Sequence, residues 1–160
     1  MMLFHGGTDV VEKPSIVRSV AGRDFGPGFY LTGIQEQAEK WARRQARIRK
    51  KAAILNVYLF DEQAMRANLR IRKFENYSLE WLELVLSCRS QPEFRHDCDI
   101  VFGRIADDDV GETVQAVMDG LMPKDFALQK LSYMTSNEQY CFCTKAALDC
   151  LRYREARRLD

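Results

Sequence analysis

The sequence predicts a single α+β domain. Segments with the aromatic and β-branched content of strands alternate irregularly with amphipathic helices, unlike the regular βαβ order of a doubly wound sheet. At 160 residues, with 46% hydrophobic and 29% charged residues, the chain is large enough for one core and has the composition of an ordered domain. No repeat, low-complexity tract or linker divides it, so residues 1–160 are expected to form one domain.

The first half of the chain predicts two strands and a helix. Residues 3–5 resemble a short strand ended by Gly6 and Gly7, and the polar connector after them has room for a short helix near residues 15–19. Residues 29–32 have strand character. Residues 35–50 predict a helix. One face of this helix carries Ala38, Trp41, Ala42, Gln45 and Ile48, and cations crowd the remainder.

The middle of the chain predicts a buried strand over residues 53–60, then a loop, then a helix. The loop carries Arg66, Arg70, Arg72 and Lys73. Ser78 is a good N-cap for a helix that extends to about Cys88. Its inward positions are predicted to be Leu79, Leu82, Val85 and Leu86, with Trp81 and Leu84 widening the apolar stripe.

The last third predicts two short strands and three helices. Residues 100–102 form a strand halted by Gly103, and residues 140–143 form another. The predicted helices are one that begins with Asp109 and Glu112 as a capping box, one from Pro123 toward Leu131, and a final one from Lys145 to about Arg154 capped by Thr144.

Charge, termini and cysteines narrow the function classes. A net charge of +1 gives no overall attraction to nucleic acid or membranes. The N-terminus lacks the basic and apolar segments of a signal peptide, and no apolar run approaches the ~20 residues of a membrane span. Five cysteines without framework spacing favour a reducing compartment, so we expect a cytoplasmic protein without a membrane partner.

The metal-binding and nucleophilic signals are weak. Cys141 and Cys143 share a strand face and Cys98 follows His96 by two residues, but the paired CxxC spacing of a structural zinc site is missing. Neighbours two apart on a loop also give no Cys–His triad geometry. The acidic run at residues 107–109 is explained by a helix N-terminus. We expect buried reduced cysteines and no metal.

A glycine turn is the first candidate for a ligand contact. Gly26 and Gly28 lack a Cβ, so a ligand can approach their backbone closely, and Pro27 fixes the loop between them. The turn lacks the third glycine of a dinucleotide fingerprint and runs into a strand instead of a helix. A Walker loop and a G-x-S-x-G elbow are absent. An ordinary turn into a core strand is the alternative.

Three separated pieces carry a resemblance: residues 5–7 after the first strand, residues 28–30 at the start of the second, and residues 137–140 at the start of a late one. In this order they resemble the ADP-ribosyltransferase superfamily, on the histidine–tyrosine–glutamate branch shared by diphtheria toxin and the poly-ADP-ribose polymerases. A bacterial family of uncharacterised domains in that superfamily is more similar still. It shares the aspartate-phenylalanine-glycine turn, the alanine-x-x-tryptophan helix and the late glutamine strand.

The resemblance implies a split β-sandwich with flanking helices and NAD as substrate, without a metal. His5 would hydrogen-bond a ribose hydroxyl, and the Gly6 backbone would hold the nicotinamide amide. Tyr30 would form one side of the nicotinamide pocket and Trp41, on the inward face of its helix, would supply a second stacking ring. Gly28 would belong to the same NAD-binding set.

The chain departs from the family pattern at the third catalytic position. Gln139 stands where that branch has glutamate, and it can hydrogen-bond a ribose hydroxyl but cannot carry negative charge or act as a general base. Glu138 is adjacent, yet successive strand side chains point to opposite faces. The predicted catalytic set is therefore His5, Tyr30 and Gln139.

Three functions follow as hypotheses. The first is a mono-ADP-ribosyltransferase that uses NAD and an unidentified protein or nucleic-acid acceptor. The second is a catalytically silent module with the same fold that binds NAD or another nucleotide, or acts through a partner. The third makes nucleic acid the acceptor, because Arg43, Arg47, Lys50 and Lys51 form a basic strip.

Overall fold

Strands and helices alternate irregularly along the chain, as the predicted α+β class requires. The computed structural model describes residues 1–16, 22–63, 68–105, 108–134 and 137–160. The strands are β1 Met2–Gly7, β2 Phe29–Leu31, β3 Ala53–Phe60, β4 Ile71–Lys73, β5 Ile100–Arg104, β6 Glu138–Phe142 and β7 Leu151–Leu159. The helices are α1 Gln35–Arg49, α2 Leu79–Ser90, α3 Asp108–Met118, α4 Lys124–Leu131 and α5 Lys145–Leu148.

The strands form two sheets that pack face to face. One sheet has the order β1-β3-β7 and is antiparallel; the other has the order β2-β6-β5-β4, with only β4 and β5 parallel. The parallel pair needs a crossover, which α2 supplies. Buried side chains of both sheets meet in one cluster that includes Leu3, Tyr58, Phe60, Phe29, Ile100 and Phe142.

Helices cover the outer faces of this pair of sheets. Ala38 of α1 packs on Leu55 and Val57 of β3, because only a small side chain lets the helix approach the sheet closely. Helices α2, α3 and α4 cover the other sheet through a larger buried cluster centred on Trp81. The indole N–H of Trp81 donates to the Arg104 carbonyl at 3.0 Å, so this buried polar atom is satisfied.

The two sheets are joined edge to edge at one point. Phe4 of β1 and Thr32, just past β2, exchange two backbone hydrogen bonds, 2.8 Å from the Phe4 nitrogen and 3.0 Å from the Thr32 nitrogen. This isolated bridge is the only backbone pairing between β1 and the β2 segment among the described residues. On either side of it the two edges separate, which opens a cleft.

The predicted C-terminal helix is wrong beyond Leu148. Thr144 caps α5 as predicted, with its hydroxyl accepting from the Ala147 N–H at 3.2 Å, but the helix has only four residues and β7 follows. A bulge in the β3–β7 pairing, between Val57 and Tyr58, breaks the two-residue alternation of β7. The extra residue, Arg154, separates the half-buried residues 153 and 156 by three positions, and with residue 159 this spacing resembles a helix.

Three further strand predictions need correction. β1 includes Gly6 and Gly7 instead of ending before them. The predicted arginine-rich loop contains strand β4, where Arg72 and Lys73 are exposed; Arg66 lies outside the described residues. β5 continues through Gly103, because a Cβ there would lie only 3.1 Å from the Phe25 ring and the glycine makes room for it.

The helix faces also differ in part from the prediction. In α1, Ala38 and Ala42 are buried, whereas Trp41 and Ile48 are 47% and 67% exposed. The Ser78 cap of α2 is confirmed, since its hydroxyl accepts from the Trp81 N–H at 3.2 Å. The buried face of α2 consists of Trp81, Leu82, Leu84, Val85 and Cys88, while Leu79 is exposed.

The remaining helix predictions concern the chain's acidic run and its N-terminal connector. Helix α3 begins at Asp108, so Asp109 lies inside it and is not its cap. Asp107 lies outside the described residues, as does most of the helix predicted near residues 15–19. Helix α4 follows Pro123 and ends at Leu131, as predicted.

Replacement of Gly6 by alanine is predicted to destabilise the fold. The added Cβ would lie 2.0 Å from the Ala38 carbonyl oxygen, and a backbone atom of a packed helix cannot move aside cheaply. We expect the free energy of unfolding to fall by about 1–3 kcal/mol in urea denaturation. Gly33→Ala is the matched control, because nothing lies within 4 Å of its Cβ position. Equal stability of the two variants would contradict this packing argument.

Candidate functional site

The cleft beside the sheet junction is the candidate site. Its volume is about 540 Å³, within the range of small-molecule and cofactor pockets. It is bounded by β1, β2, α1 and the start of β6. The lining residues are Phe4, His5, Gly6, Gly22, Arg23, Asp24, Tyr30, Leu31, Thr32, Gln37, Ala38, Lys40, Trp41, Arg44, Arg89, Ile105, Asn137 and Gln139. Of the six predicted site residues, five lie here: His5, Gly6, Tyr30, Trp41 and Gln139.

His5 is held in one orientation by the strand opposite it. Its Nδ1 donates to the Tyr30 carbonyl at 2.8 Å, and its ring lies 4.4 Å from the Phe29 ring centroid. Burial lowers the pKa of His5, with the Tyr30 hydrogen bond opposing that effect. A neutral ring whose Nδ1 carries the proton has Nε2 as an acceptor. His5 can therefore accept a hydrogen bond from a ligand hydroxyl.

The backbone of Gly6 faces the cleft. In a strand the N–H and C=O groups of successive residues point to alternate edges. The Met1 carbonyl accepts from Phe60 on the β3 side, and Phe4 bonds to Thr32 on the other side. Gly6, two residues after Phe4, directs its N–H and C=O to this second edge, where the sheets have separated. One donor and one acceptor side by side match a carboxamide.

Tyr30 presents its ring, not its hydroxyl, to the cleft. The hydroxyl donates to the Gly26 carbonyl at 2.6 Å and accepts from the Phe25 N–H at 3.1 Å. Burial, with Cys141 nearby, raises the pKa of Tyr30 well above its usual value, so the phenol stays neutral. The Arg23 guanidinium lies over the ring, 5.2 Å from its centroid. The ring face thus already attracts a cation.

Helix α1 contributes an aromatic ring and two cations from successive turns. Trp41 and Lys40 line the cleft together with Arg44, one turn further along the helix. Arg44 lies 5.8 Å from the Trp41 ring centroid. Trp41 is therefore a surface residue at the cleft mouth, not the inward-facing residue that the sequence predicted.

Gln139 lines the cleft and Glu138 does not. Asn137 and Gln139, two residues apart, share the cleft-facing side of β6, as strand alternation requires. No bulge is present in the β5–β6 pairing, where Gly103 is opposite Gln139 and Arg104 is opposite Glu138. The backbone carbonyl of Glu138 instead accepts from the Gln37 side chain at 3.2 Å.

Gly28 has a packing role and does not line the cleft. A Cβ at this position would lie 2.3 Å from Cys141 Sγ and 2.9 Å from the Phe142 carbonyl oxygen. The absence of a side chain is required for β2 to approach β6. The close backbone approach that the sequence predicted is made by a protein sulfur and not by a ligand.

An ion pair that the sequence analysis missed closes one wall of the cleft. Arg89 at the end of α2 binds Asp24 through its Nε at 2.8 Å and through a second nitrogen at 2.6 Å. Both side chains are largely buried, at 20% and 10% exposure. Both nitrogens contact the same carboxylate oxygen, Asp24 Oδ1, and this charge-assisted contact holds the loop that carries Asp24 against the helix. Their separation of 65 residues leaves no local sequence signal.

A thiol cluster lies directly behind Tyr30. Cys141 is paired with Tyr30 across β2 and β6, and its thiol is buried. Cys143 Sγ lies 3.4 Å from Cys141 Sγ and 3.9 Å from His96 Nε2. His96 therefore contacts the thiol of Cys143 and not that of Cys98, its neighbour in the sequence.

The electrostatics of this cluster distinguish its two thiols. The Cys141 and His96 hydrogen bonds lower the pKa of Cys143, whereas burial raises the pKa of Cys141 well above its usual value. His96 Nδ1 accepts from the Cys98 N–H at 3.2 Å, so Nε2 carries the ring proton and donates to the Phe25 carbonyl at 2.8 Å. The same N–H group faces Cys143. All five cysteines are unpaired thiols, as predicted.

The chain matches, over residues 1–153, the family described as "Protein of unknown function (DUF3990)". The chain belongs to the DUF3990 family. No curated protein and no solved structure matched this DUF3990 chain.

Among the described residues, no three histidine, cysteine, aspartate or glutamate side chains are arranged to hold a metal ion. No helix in the described ranges combines the length and the apolar character that crossing a bilayer would need.

Alkylation of Cys143 is predicted to begin at a lower pH than alkylation of an ordinary thiol. Only the thiolate reacts, and a lowered pKa means that the thiolate forms as pH rises through a value below about 8.5. We expect the iodoacetamide rate, followed by peptide mass spectrometry on the folded protein, to reach half its plateau below that pH. Cys150, whose pKa burial raises, is the internal control. Coincident profiles for the two cysteines would contradict the assignment.

Proposed function

We propose that this protein is an NAD-dependent mono-ADP-ribosyltransferase. The single observation that supports this proposal best is the cleft itself. His5, Tyr30 and Gln139 come from three separate parts of the chain and line one cavity, together with Trp41 and the Gly6 backbone. These positions correspond to those of the histidine–tyrosine–glutamate branch, with glutamine in place of the glutamate, and the cleft has a volume suited to a small molecule or cofactor.

Each residue has a role that its environment supports. The Gly6 N–H and C=O would bind the nicotinamide carboxamide, and His5 Nε2 would accept from a ribose hydroxyl. Tyr30 would pack against the cationic nicotinamide ring, since aromatic faces attract cations. Trp41 would cover the ring from the mouth of the cleft. Lys40 and Arg44 on the same helix would attract the pyrophosphate.

The reaction requires little from the protein besides positioning and charge. The bond between the nicotinamide nitrogen and ribose C1′ breaks, its electron pair leaves with nicotinamide, and positive charge develops on the ribose as in glycoside hydrolysis. The acceptor then bonds to C1′ and loses its proton. Gln139 would orient the ribose through a hydroxyl, but the proton must pass to solvent or to the acceptor's own base.

A catalytically silent NAD-binding module is the second candidate. The specific observation that favours it is the uncharged side chain at position 139, with Glu138 outside the cleft.

Nucleic acid as the acceptor receives less support, because the basic strip is partly neutralised: Arg43 pairs with Glu39 and Lys51 with Asp9, both at 3.3 Å.

The deciding assay follows nicotinamide released from NAD carrying a label in the nicotinamide ring, with and without cell lysate as a source of acceptor. Release together with ADP-ribose attached to a lysate component supports transfer. Calorimetry with NAD on the same sample separates the two candidates. Binding without release supports the silent module, and neither binding nor release contradicts both.

Trp41→Ala is predicted to weaken NAD binding without loss of stability. Trp41 is 47% exposed, so its removal leaves no core cavity, while a lost stacking or cation–π contact costs about 1–2 kcal/mol, or roughly tenfold in affinity. Calorimetry gives the dissociation constant. Phe126→Ala, at an exposed position on α4 that does not line the cleft, is the matched control. Equal affinities for the two variants would remove Trp41 from the site.

Gln139→Glu is predicted to raise the rate of nicotinamide release by about 10²-fold, because a carboxylate at this position stabilises positive charge on the ribose and can accept the acceptor's proton. Single-turnover release at saturating NAD measures this step separately from binding. Gln129→Glu introduces the same charge at an exposed position of α4 and controls for net charge. A variant that binds NAD but releases nothing would contradict the transferase geometry.

A further inference from the structure

The strongest site outside the cleft is the thiol cluster that begins where β6 ends. Its two cysteines differ in accessibility: Cys141 is fully buried, whereas Cys143 is half-buried and can meet a small solute. Their sulfur atoms are 3.4 Å apart. No described contact makes these thiols necessary for NAD cleavage, so the cluster's arrangement is not explained by the proposed function.

The surroundings of Cys143 match those of a nucleophilic thiol. The His96 Nε2–H group faces the sulfur at 3.9 Å, and Cys141 faces it from the strand. The Cys143 N–H donates to the Asp99 carbonyl at 2.8 Å, which holds this residue in place as the chain leaves β6. Reactive cysteines are found in partly exposed positions next to histidines, whereas inert ones are buried in apolar surroundings.

We propose that Cys143 and Cys141 form an oxidation site for hydroperoxides, with Cys143 as the attacking thiol and Cys141 as the resolving thiol. Both partners of the site are already within contact distance in the reduced protein. The other three cysteines, Cys88, Cys98 and Cys150, are all buried, whereas Cys143 is half-buried and has a second sulfur atom at 3.4 Å.

The chemistry proceeds in two balanced steps. The Cys143 thiolate attacks one peroxide oxygen, a sulfur–oxygen bond forms, the O–O bond breaks, and the leaving hydroxide or alkoxide takes a proton from water. The sulfur loses two electrons and the peroxide gains them. Cys141 sulfur then attacks the sulfenic acid, and its proton joins the departing hydroxyl to form water. The product is a Cys141–Cys143 disulfide.

The geometry of the strand permits this bond and makes it easily reduced. Two residues apart along an extended strand, Cα atoms are separated by about 6.8 Å, at the upper limit of the distances that disulfides span. Cys143 lies just beyond the last residue of β6, where its N–H still donates to the Asp99 carbonyl at 2.8 Å, so the bond must form mainly through rotation of the two side chains. A disulfide formed at the limit of its geometry is one that cellular thiols reduce readily, as a reversible site requires.

The test treats the folded full-length protein with one to ten equivalents of hydrogen peroxide and measures intact mass and peptide masses without reductant. We expect loss of two hydrogens, mapped to a link between Cys141 and Cys143 and reversed by dithiothreitol. Cys141→Ser should instead stop at a sulfenic acid on Cys143, trapped by dimedone. Cys143→Ser should abolish both products.

Two controls keep the result interpretable if a variant is destabilised. Cys150→Ser removes a buried thiol from outside the cluster and should oxidise as the wild type does. His96→Gln retains a hydrogen-bonding side chain and should slow formation of the Cys143 product at least severalfold, with circular dichroism confirming the fold. An unmodified Cys143 at peroxide doses that oxidise methionine would overturn the proposal. A stable sulfenic acid in the wild-type protein would overturn the role of Cys141.

Discussion

The two backbone hydrogen bonds between Phe4 and Thr32 are the constraint on which the site depends. They tie the edges of two sheets at one residue pair, and the sheets diverge beyond it. A longer ladder would close the edge of β1 and use the Gly6 backbone groups for sheet pairing. A missing ladder would let β1 separate from the Tyr30 strand. One bridge, reinforced by the His5 contact with the Tyr30 carbonyl, keeps both edges close and still accessible.

The position of α1 depends on small side chains at its contact with the sheet. Gly6 and Ala38 lie in contact, and the small residues let the helix lie directly on the β1–β3 sheet. This approach brings Lys40, Trp41 and Arg44 to the cleft mouth without moving them from an exposed helix face. One face of α1 therefore packs against the sheet while another face presents the cations, as the 3.6-residue period of the helix allows.

Much of the fold and of the candidate site could be predicted from local patterns, and the exceptions share a cause. Helix α1 and the buried strand β3 have long, regular patterns. Strand β4 has only three residues and is defined by its pairing with β5, while the extra residue in β7 breaks the two-residue alternation of that strand. The order of His5, Tyr30 and Gln139 indicated a shared site. The Asp24–Arg89 pair and the His96–Cys143 contact join residues far apart in the chain, so no local pattern could have indicated them.

The guanidinium of Arg23 lies over the Tyr30 ring, so under the proposed function a cationic nicotinamide ring would take the place of another cation. The net gain in binding free energy at that ring would be only the difference between two similar cation–π attractions. The displaced Arg23 side chain would then be solvated by water or bind a ligand phosphate. A neutral flat ring would lose the attraction without replacing it. If the proposed function holds, Tyr30 would select a ligand by the charge of its ring, and the affinity would depend on the new position of the Arg23 side chain.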